Sequence, residues 1–390
     1  MRKYILQLKK IIILKLNGSE KMTNENNKKP ESLATVYIYT HGAFKKERLI
    51  YLDILNILAI IAVIAMHCNG IVHGNPMIKA WNTSLAIECL AYFAVPVFFM
   101  ISGANLMKYR ERYTTKEFYL KRMTKVLVPF IFWAIVMFLW KIFVIHSIKI
   151  ESVNSLVKLI NAFFSNTEEP TYYFMFEILG IYLIMPLLSL LTKKEYHKTL
   201  WLIVATYFIF NATIPNLLAL VGIRWNSSFG VPIGGYVMYA IIGYLLSETC
   251  ITKKQKNIIY IGAILGLCYR YVTTFVLSKN AMRVIKITWG YTSWHCILLS
   301  MAVFIFVRDL KILDKIKDND KIKNIIAKIA GCSFGVYLIH IIIKYYYVAI
   351  FNINVLLWHF RTLGIIAIYV ISLAIVMILK KVPIIKKILP

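Results

Sequence analysis

Asp53, Asn56 and His67 lie in one apolar run, DILNILAIIAVIAMHCNG, and their spacing puts them along one side of a helix. Eleven residues at about 100° each bring His67 back over Asn56, roughly 16 Å further along the axis. Asp53 lies within about 40° of the same face. Polar groups are costly inside a bilayer, so a stripe of this kind reads as a site. Other apolar runs carry Glu88, Glu177, Arg270, His295, His340 and Lys344. A histidine that titrates near neutrality beside a carboxylate is what general-base chemistry requires. His67 is the candidate base, Glu88 the first choice of orienting carboxylate and Glu177 the second. Lys344, like His359, is read as a snorkelling or paired side chain.

The elements that must position these residues are membrane helices. With 59% hydrophobic, 14% aromatic and 16% charged residues, the chain carries more apolar surface than a soluble core can hide. Apolar runs long enough to span give about ten helices: 50–67, 84–107, 126–145, 172–191, 200–221, 232–248, 257–277, 287–307, 329–350 and 358–379. The fold class is thus an all-α polytopic membrane bundle. The net charge of +28 does not point to nucleic acid, because lysine and arginine alternate between rich and poor loops. One set of loops and tails holds 34 of them and the opposite set seven, which places both termini in the cytoplasm. That basic face suits anionic lipid and an anionic cofactor.

With this topology His67, Glu88, Glu177, Arg270, His295 and His340 fall at similar depth. A water-accessible cavity opening outward would explain why all are tolerated. On the opposite side, Lys121, Arg122 and Lys125 precede the third span in YLKRMTKVLVPF. They serve either as topological anchors or as a phosphate-binding cluster. The six cysteines have no Cys-x-x-Cys or zinc-type spacing, so they read as small packing residues and no metal is expected.

Residues 1–47 form a basic tail, 48–380 the membrane domain and 381–390 a second basic tail. MRKYILQLKKIIILKL reads as an amphipathic segment on the inner leaflet, and residues 22–46 as a flexible tail. A start at Met22 stays open. The outer loop 146–171 has room for one amphipathic helix at Val153–Phe164.

Five short motifs in order make the chain resemble membrane acyltransferase family 3, the bacterial O-acyltransferases that modify surface sugars. Asp53, Asn56 and His67 are similar to its Asp-x-x-Arg element with a histidine further on. PVFFMISGANLM (Pro96–Met107) is similar to its Pro-x-Phe-Phe-x-x-Ser-Gly signature, and KRMTKVLVPF to its basic helix start. YYFMFEILGIYLIMPLL (Tyr172–Leu188) resembles its fourth-span block, and SFGVYLIH (Ser333–His340) its Ser-x-Gly-x-Tyr-x-x-His element.

The resemblance implies a bacterial cytoplasmic-membrane enzyme. Its donor would be acyl-CoA, with acetyl-CoA the leading choice, held by Asp53, Asn56, Arg122 and Lys125. Ser102, Arg270, His295, Tyr337 and His340 would face a saccharide or lipid-linked glycan acceptor. His67 would be general base or transient acyl carrier. Glycan-synthesis proteins are the implied protein partners. Asn56 stands where the family usually has arginine, and asparagine donates hydrogen bonds without supplying charge. The competing function is a polysaccharide exporter whose polar cavity is a path. A structural subunit of a glycan-synthesis complex is a third, although it leaves the intramembrane charges without a task.

Overall fold

The computed structural model describes residues 37–40, 43–46, 48–149, 151, 154–165, 170–383 and 385–389. The amphipathic segment expected at the N-terminus and the start at Met22 lie outside the described residues. Part of the expected flexible tail is instead paired: strands β1 (Tyr37–Thr40) and β2 (Ala43–Lys46) run antiparallel, Tyr37 opposite Lys46 and Thr40 opposite Ala43. The alternating tyrosine, isoleucine and threonine of β1 favour a strand. Every other element is helical.

Among the described residues, eight helical segments are long and apolar enough to cross a membrane. Helix α1 (Ile50–Cys68) lies at the centre, its 19 residues giving roughly 28 Å of length. The second span is broken into α2 (Lys79–Ala91) and α3 (Ala94–Leu106). Pro96 has no N–H to give the Tyr92 carbonyl, so the ladder fails there and the axis can turn. The third span joins α4 (Thr115–Arg122) to α5 (Val128–Phe143) through a π-helical turn, Met123–Leu127. Pro129 sits at the start of α5, where its missing N–H is tolerated. In the outer loop an amphipathic helix, α6 (Leu156–Ser165), does form, three residues later than expected.

Helix α7 (Tyr173–Leu188) is the core of the fourth span, and α8 (His197–Tyr207), a second π turn (Phe208–Thr213) and α9 (Ile214–Leu220) make the fifth. Then follow α10 (Val237–Glu248), α11 (Lys253–Asn280) and α12 (Trp294–Arg308). Two short basic-face helices, α13 (Ile312–Lys317) and α14 (Asp320–Ala330), lead to α15 (Ser333–Ile350) and α16 (Trp358–Leu379).

Two of the ten expected spans, α10 and α12, are only 12 and 15 residues long. They need not meet lipid, because protein covers them: Met238 to Glu248 are all buried. Helix α10 lies against α3 at glycine-to-backbone distance. A Cβ on Gly103 would sit 1.8 Å from the Ala240 carbonyl oxygen, and one on Gly243 2.0 Å from that of Met100. Two glycines facing each other's backbone let the helices approach this closely. Leucines such as Leu183, Leu202 and Leu363 are exposed on the long helices, as lipid-facing positions should be.

Helix α1 packs against α2, α3, α12, α14, α15 and α16. Residues of its stripe can therefore meet groups from most of the bundle, and that central position is what assembles the site.

Candidate functional site: a cation-lined cavity and a histidine pair

On the basic face, a cavity of about 300 Å³ opens between α1, α3, the first π turn, α7 and the start of α15. Asn56, Ser102, Arg122, Lys125 and Tyr337 all line it, so five residues separated by up to 281 positions in sequence share one space. Phe98, Phe174 and Met175 make its apolar wall. The π turn has a direct role here, because its extra residue per turn re-aims the side chains on either side of it, Arg122 before and Lys125 within. Arg122 lies 5.7 Å from the Tyr182 ring and 5.9 Å from that of Phe118. Its Nε is buried without a hydrogen-bond partner among the described residues.

Two contacts tie the base of α1 to the cavity wall. Asn56 Nδ2 donates to the Ala330 carbonyl at 3.1 Å, and Ala330 and Gly331 line the cavity. One turn earlier on α14, the Ala327 carbonyl accepts from Arg48 Nη2 at 3.2 Å. Arg48 also grips Asp53 with two hydrogen bonds, Nε to Oδ2 at 2.6 Å and Nη2 to Oδ1 at 2.8 Å. The carboxylate holds the Arg48 guanidinium above its ordinary pKa. Asp53, expected to help hold the donor, does not line this cavity. It is engaged by an arginine five residues before it, and it is Asn56 that reaches the cavity.

From this cavity a line of rings runs toward the outer side. Tyr337 forms part of the cavity wall and lies 5.9 Å, ring to ring, from His340. His340 in turn lies 5.1 Å from His67. The His340 Nδ1 is 2.6 Å from the Tyr337 carbonyl oxygen, an acceptor only, so Nδ1 carries the hydrogen. Lys344, one turn further, donates from Nζ to the His67 carbonyl at 2.9 Å. Lys344 is thus paired, and the contact anchors the last turn of α1.

A second, largely buried set fixes the same helix end. Asn69 caps α1 by donating from Nδ2 to the Ala65 carbonyl at 2.9 Å and to the Arg361 carbonyl at 3.1 Å. Its Oδ1 accepts from Ser84 Oγ at 3.1 Å. Arg361 Nη1 closes the ring through Ser84 Oγ at 3.0 Å and the Ala80 carbonyl at 2.9 Å, with Thr83 Oγ1 a further acceptor. Sequence reasoning missed Arg361 and Asn69. Arg361 carried a usable signal, since it is an arginine inside the apolar run 358–379 just as Arg270 is inside 257–277.

The remaining candidates do not gather around His67. Glu88 was expected to orient it, yet Glu88 Oε1 pairs with Arg270 Nη2 at 3.8 Å, both side chains being almost fully buried. The Arg270 guanidinium lies 3.3 Å over the Tyr92 ring. His295 packs beside Gly266, one turn from Arg270. These three therefore form a cluster of their own on α2, α11 and α12. Glu177 is exposed on α7. The expected single outward cavity is thus divided into a cavity on the basic face, a histidine pair above it and a separate Glu88–Arg270–His295 cluster. Near the outer end of α1, His73 packs edge-on to Trp289 at 5.0 Å. Burial, with Lys286 and Arg270 nearby, pushes its pKa below the usual 6.5.

The structure is thus a polytopic helical bundle with a cation-lined cavity on its basic face and a histidine pair above it. The family model described as an acyltransferase domain, acyltransferase family 3, matches residues 49–379. The chain belongs to that family and is a membrane acyltransferase. No curated protein matches it. No solved structure does either.

Proposed function

We propose that this acyltransferase is an O-acetyltransferase of the bacterial cytoplasmic membrane that moves the acetyl group of cytoplasmic acetyl-CoA to a hydroxyl of a surface or lipid-linked saccharide. The observation that carries the reading is the line of packed rings from the Arg122–Lys125 cavity through Tyr337 and His340 to His67. The donor fits the residues present. Arg122 and Lys125 suit its phosphates, and the partnerless buried Arg122 Nε is a donor in need of an acceptor. Asn56 and Ser102 are hydrogen-bonding groups for the amide-rich arm, and the Phe98 and Phe174 wall suits its apolar parts. The cavity is small enough that the arm belongs inside and the nucleotide at the basic surface.

In the transfer step the acceptor oxygen attacks the thioester carbonyl and the carbon–sulfur bond breaks. The hydroxyl proton passes to a ring nitrogen of His67 and then to the departing sulfur, giving an ester and a free thiol. His340 and Lys344 hold the imidazole and its backbone in place. Mass spectrometry of surface glycans from cells with the wild-type chain, a deletion and His67→Ala tests this. One acetyl mass should be lost in both mutants with polymer amount unchanged. Unaltered acetylation in His67→Ala would remove the histidine mechanism. An acetyl-imidazole trapped on His67 without acceptor would show that the same residue acts as a covalent carrier.

A further inference from the structure

A second cavity among the described residues plays no part in the line of rings above. It has a volume of about 530 Å³ and lies at the outer end of the fifth span, between the second π turn, α9 and the chain that follows it. Phe210, Asn211, Arg224, Trp225 and Ser227 line it.

Local structure builds this cavity. Helix α9 ends in paired reverse bonds, Gly222 N–H to the Ala219 carbonyl at 3.3 Å and Ile223 N–H to that of Leu218 at 3.0 Å. Gly222 has φ +76°, a conformation that glycine adopts without strain, and it folds residues 223–227 back over the helix end. The far end of the loop is pinned by Asn211, which accepts from the Val231 N–H at 2.8 Å and donates to the Val231 carbonyl at 3.3 Å. Gly230 makes room for that clamp, since a Cβ there would lie 2.8 Å from the Asn211 amide. Asn226 closes the turn between by accepting from the Ser228 N–H at 3.0 Å. Trp225 is propped edge-on by Phe229 at 5.6 Å, and Phe229 in turn by Phe210 at 5.5 Å. Arg224 is exposed at the rim and has no hydrogen-bond or ion-pair partner among the described residues.

The loop then runs into Tyr236, whose ring lies 6.4 Å from Tyr291. Tyr291 stacks on Tyr92 at 4.1 Å and donates to Met66 Sδ at 3.7 Å. Met66 adjoins His67.

We infer that this outer cavity is a binding site for a saccharide carrying an anionic substituent, with a sugar ring on Trp225 and its carboxylate or phosphate on Arg224. A sugar ring has one apolar CH face and a rim of hydroxyls. It therefore matches a fixed indole surrounded by amide, hydroxyl and guanidinium groups. Arginine's planar fork fits carboxylate and phosphate equally. The inference deepens the proposed function, on which it rests, by naming the acceptor's docking site and chemical class.

Saturation-transfer NMR on the full chain in nanodiscs tests it with three hexasaccharide probes: neutral, uronic acid-bearing and phosphate-bearing. At least one anionic probe should bind more tightly than the neutral one, and the two anionic probes distinguish carboxylate from phosphate. Trp225→Ala should weaken that binding about tenfold and Trp225→Tyr should restore most of it. Arg224→Gln should remove the preference for the anionic probe. Binding of no probe, or equal binding by the wild type and Trp225→Ala, overturns the proposal. Acetyl-CoA binding to the same preparations is measured in parallel. Its absence in the wild type sinks the acetyl-transfer reading, while the saccharide result stands or falls separately.

Discussion

Replacing Glu88 with glutamine separates two roles for this residue, orienting His67 or neutralising Arg270. The substitution keeps the volume and removes the charge. Arg270, 1% exposed, would then face no ion-paired carboxylate among the described residues. At the observed 3.8 Å separation and an effective dielectric of about 20, the lost attraction is about 4 kcal/mol. Breaking a buried pair by removing one partner costs about 3–5 kcal/mol, which agrees. The Tyr92 ring lies against the guanidinium before and after the substitution and so cancels in the difference, leaving an expected loss of about 4 kcal/mol. Removing both charges in Glu88→Gln/Arg270→Met should return stability to within about 1 kcal/mol of the wild type. Buried Cys68, Cys89, Cys296 and Cys332 provide the readout, because a thiol-reactive dye labels them only on unfolding. Exposed Cys250 and Cys268 would be changed to serine first to remove background. If Glu88→Gln keeps wild-type stability while turnover falls, the ion-pair reasoning is wrong and Glu88 acts on the chemistry.

Arg122→Gln should raise the KM for acetyl-CoA by about tenfold or more, as loss of a hydrogen bond to a charged group implies, with the acceptor KM unchanged; steady-state kinetics with both substrates varied would show it. Asn56→Arg should tighten donor binding if the added guanidinium reaches the cavity from the Asn56 position. A donor Kd no better than wild type in a folded variant would mean that the Ala330 contact has repacked that corner. Asn69→Ala should lower kcat while leaving donor KM alone, because the cap it removes holds the His67 helix end without reaching the cavity. A change in donor KM instead would show that the cap shapes the donor site. Gly243→Val should prevent assembly, since its first added carbon already lies 2.0 Å from the Met100 carbonyl oxygen; recovery of the variant at wild-type yield would refute the close α3–α10 crossing.

Much of the bundle was legible because a bilayer imposes strict local rules. Runs of apolar residues locate the long helices, and the bias of lysine and arginine orients them. Those rules speak only of segments that face lipid. Helices α10 and α12 were found from apolarity, but their short lengths were not, because protein covers them and the bilayer does not set their extent. The break at Tyr92 was marked by Pro96, whereas nothing local marked the π turn that aims Arg122 and Lys125.

For the site, the residue types came from sequence and the pairings from tertiary structure. Asn56, Ser102, Arg122, Lys125 and Tyr337 were chosen one motif at a time, and packing brings them to one cavity. Depth along a helix follows from counting residues, so Glu88, Arg270, His295 and His340 could be placed at one level of the membrane. Which helix neighbours which at that level depends on crossing geometry, including the Gly103–Gly243 approach, and this long-range contact has no local signature. Sequence by itself therefore determined a helical membrane bundle with histidines in its apolar helices. Only the tertiary structure decided that Glu88 belongs to Arg270, Asp53 to Arg48 and His67 to His340, because partner choice for a buried polar group is set by whichever group packing places within reach.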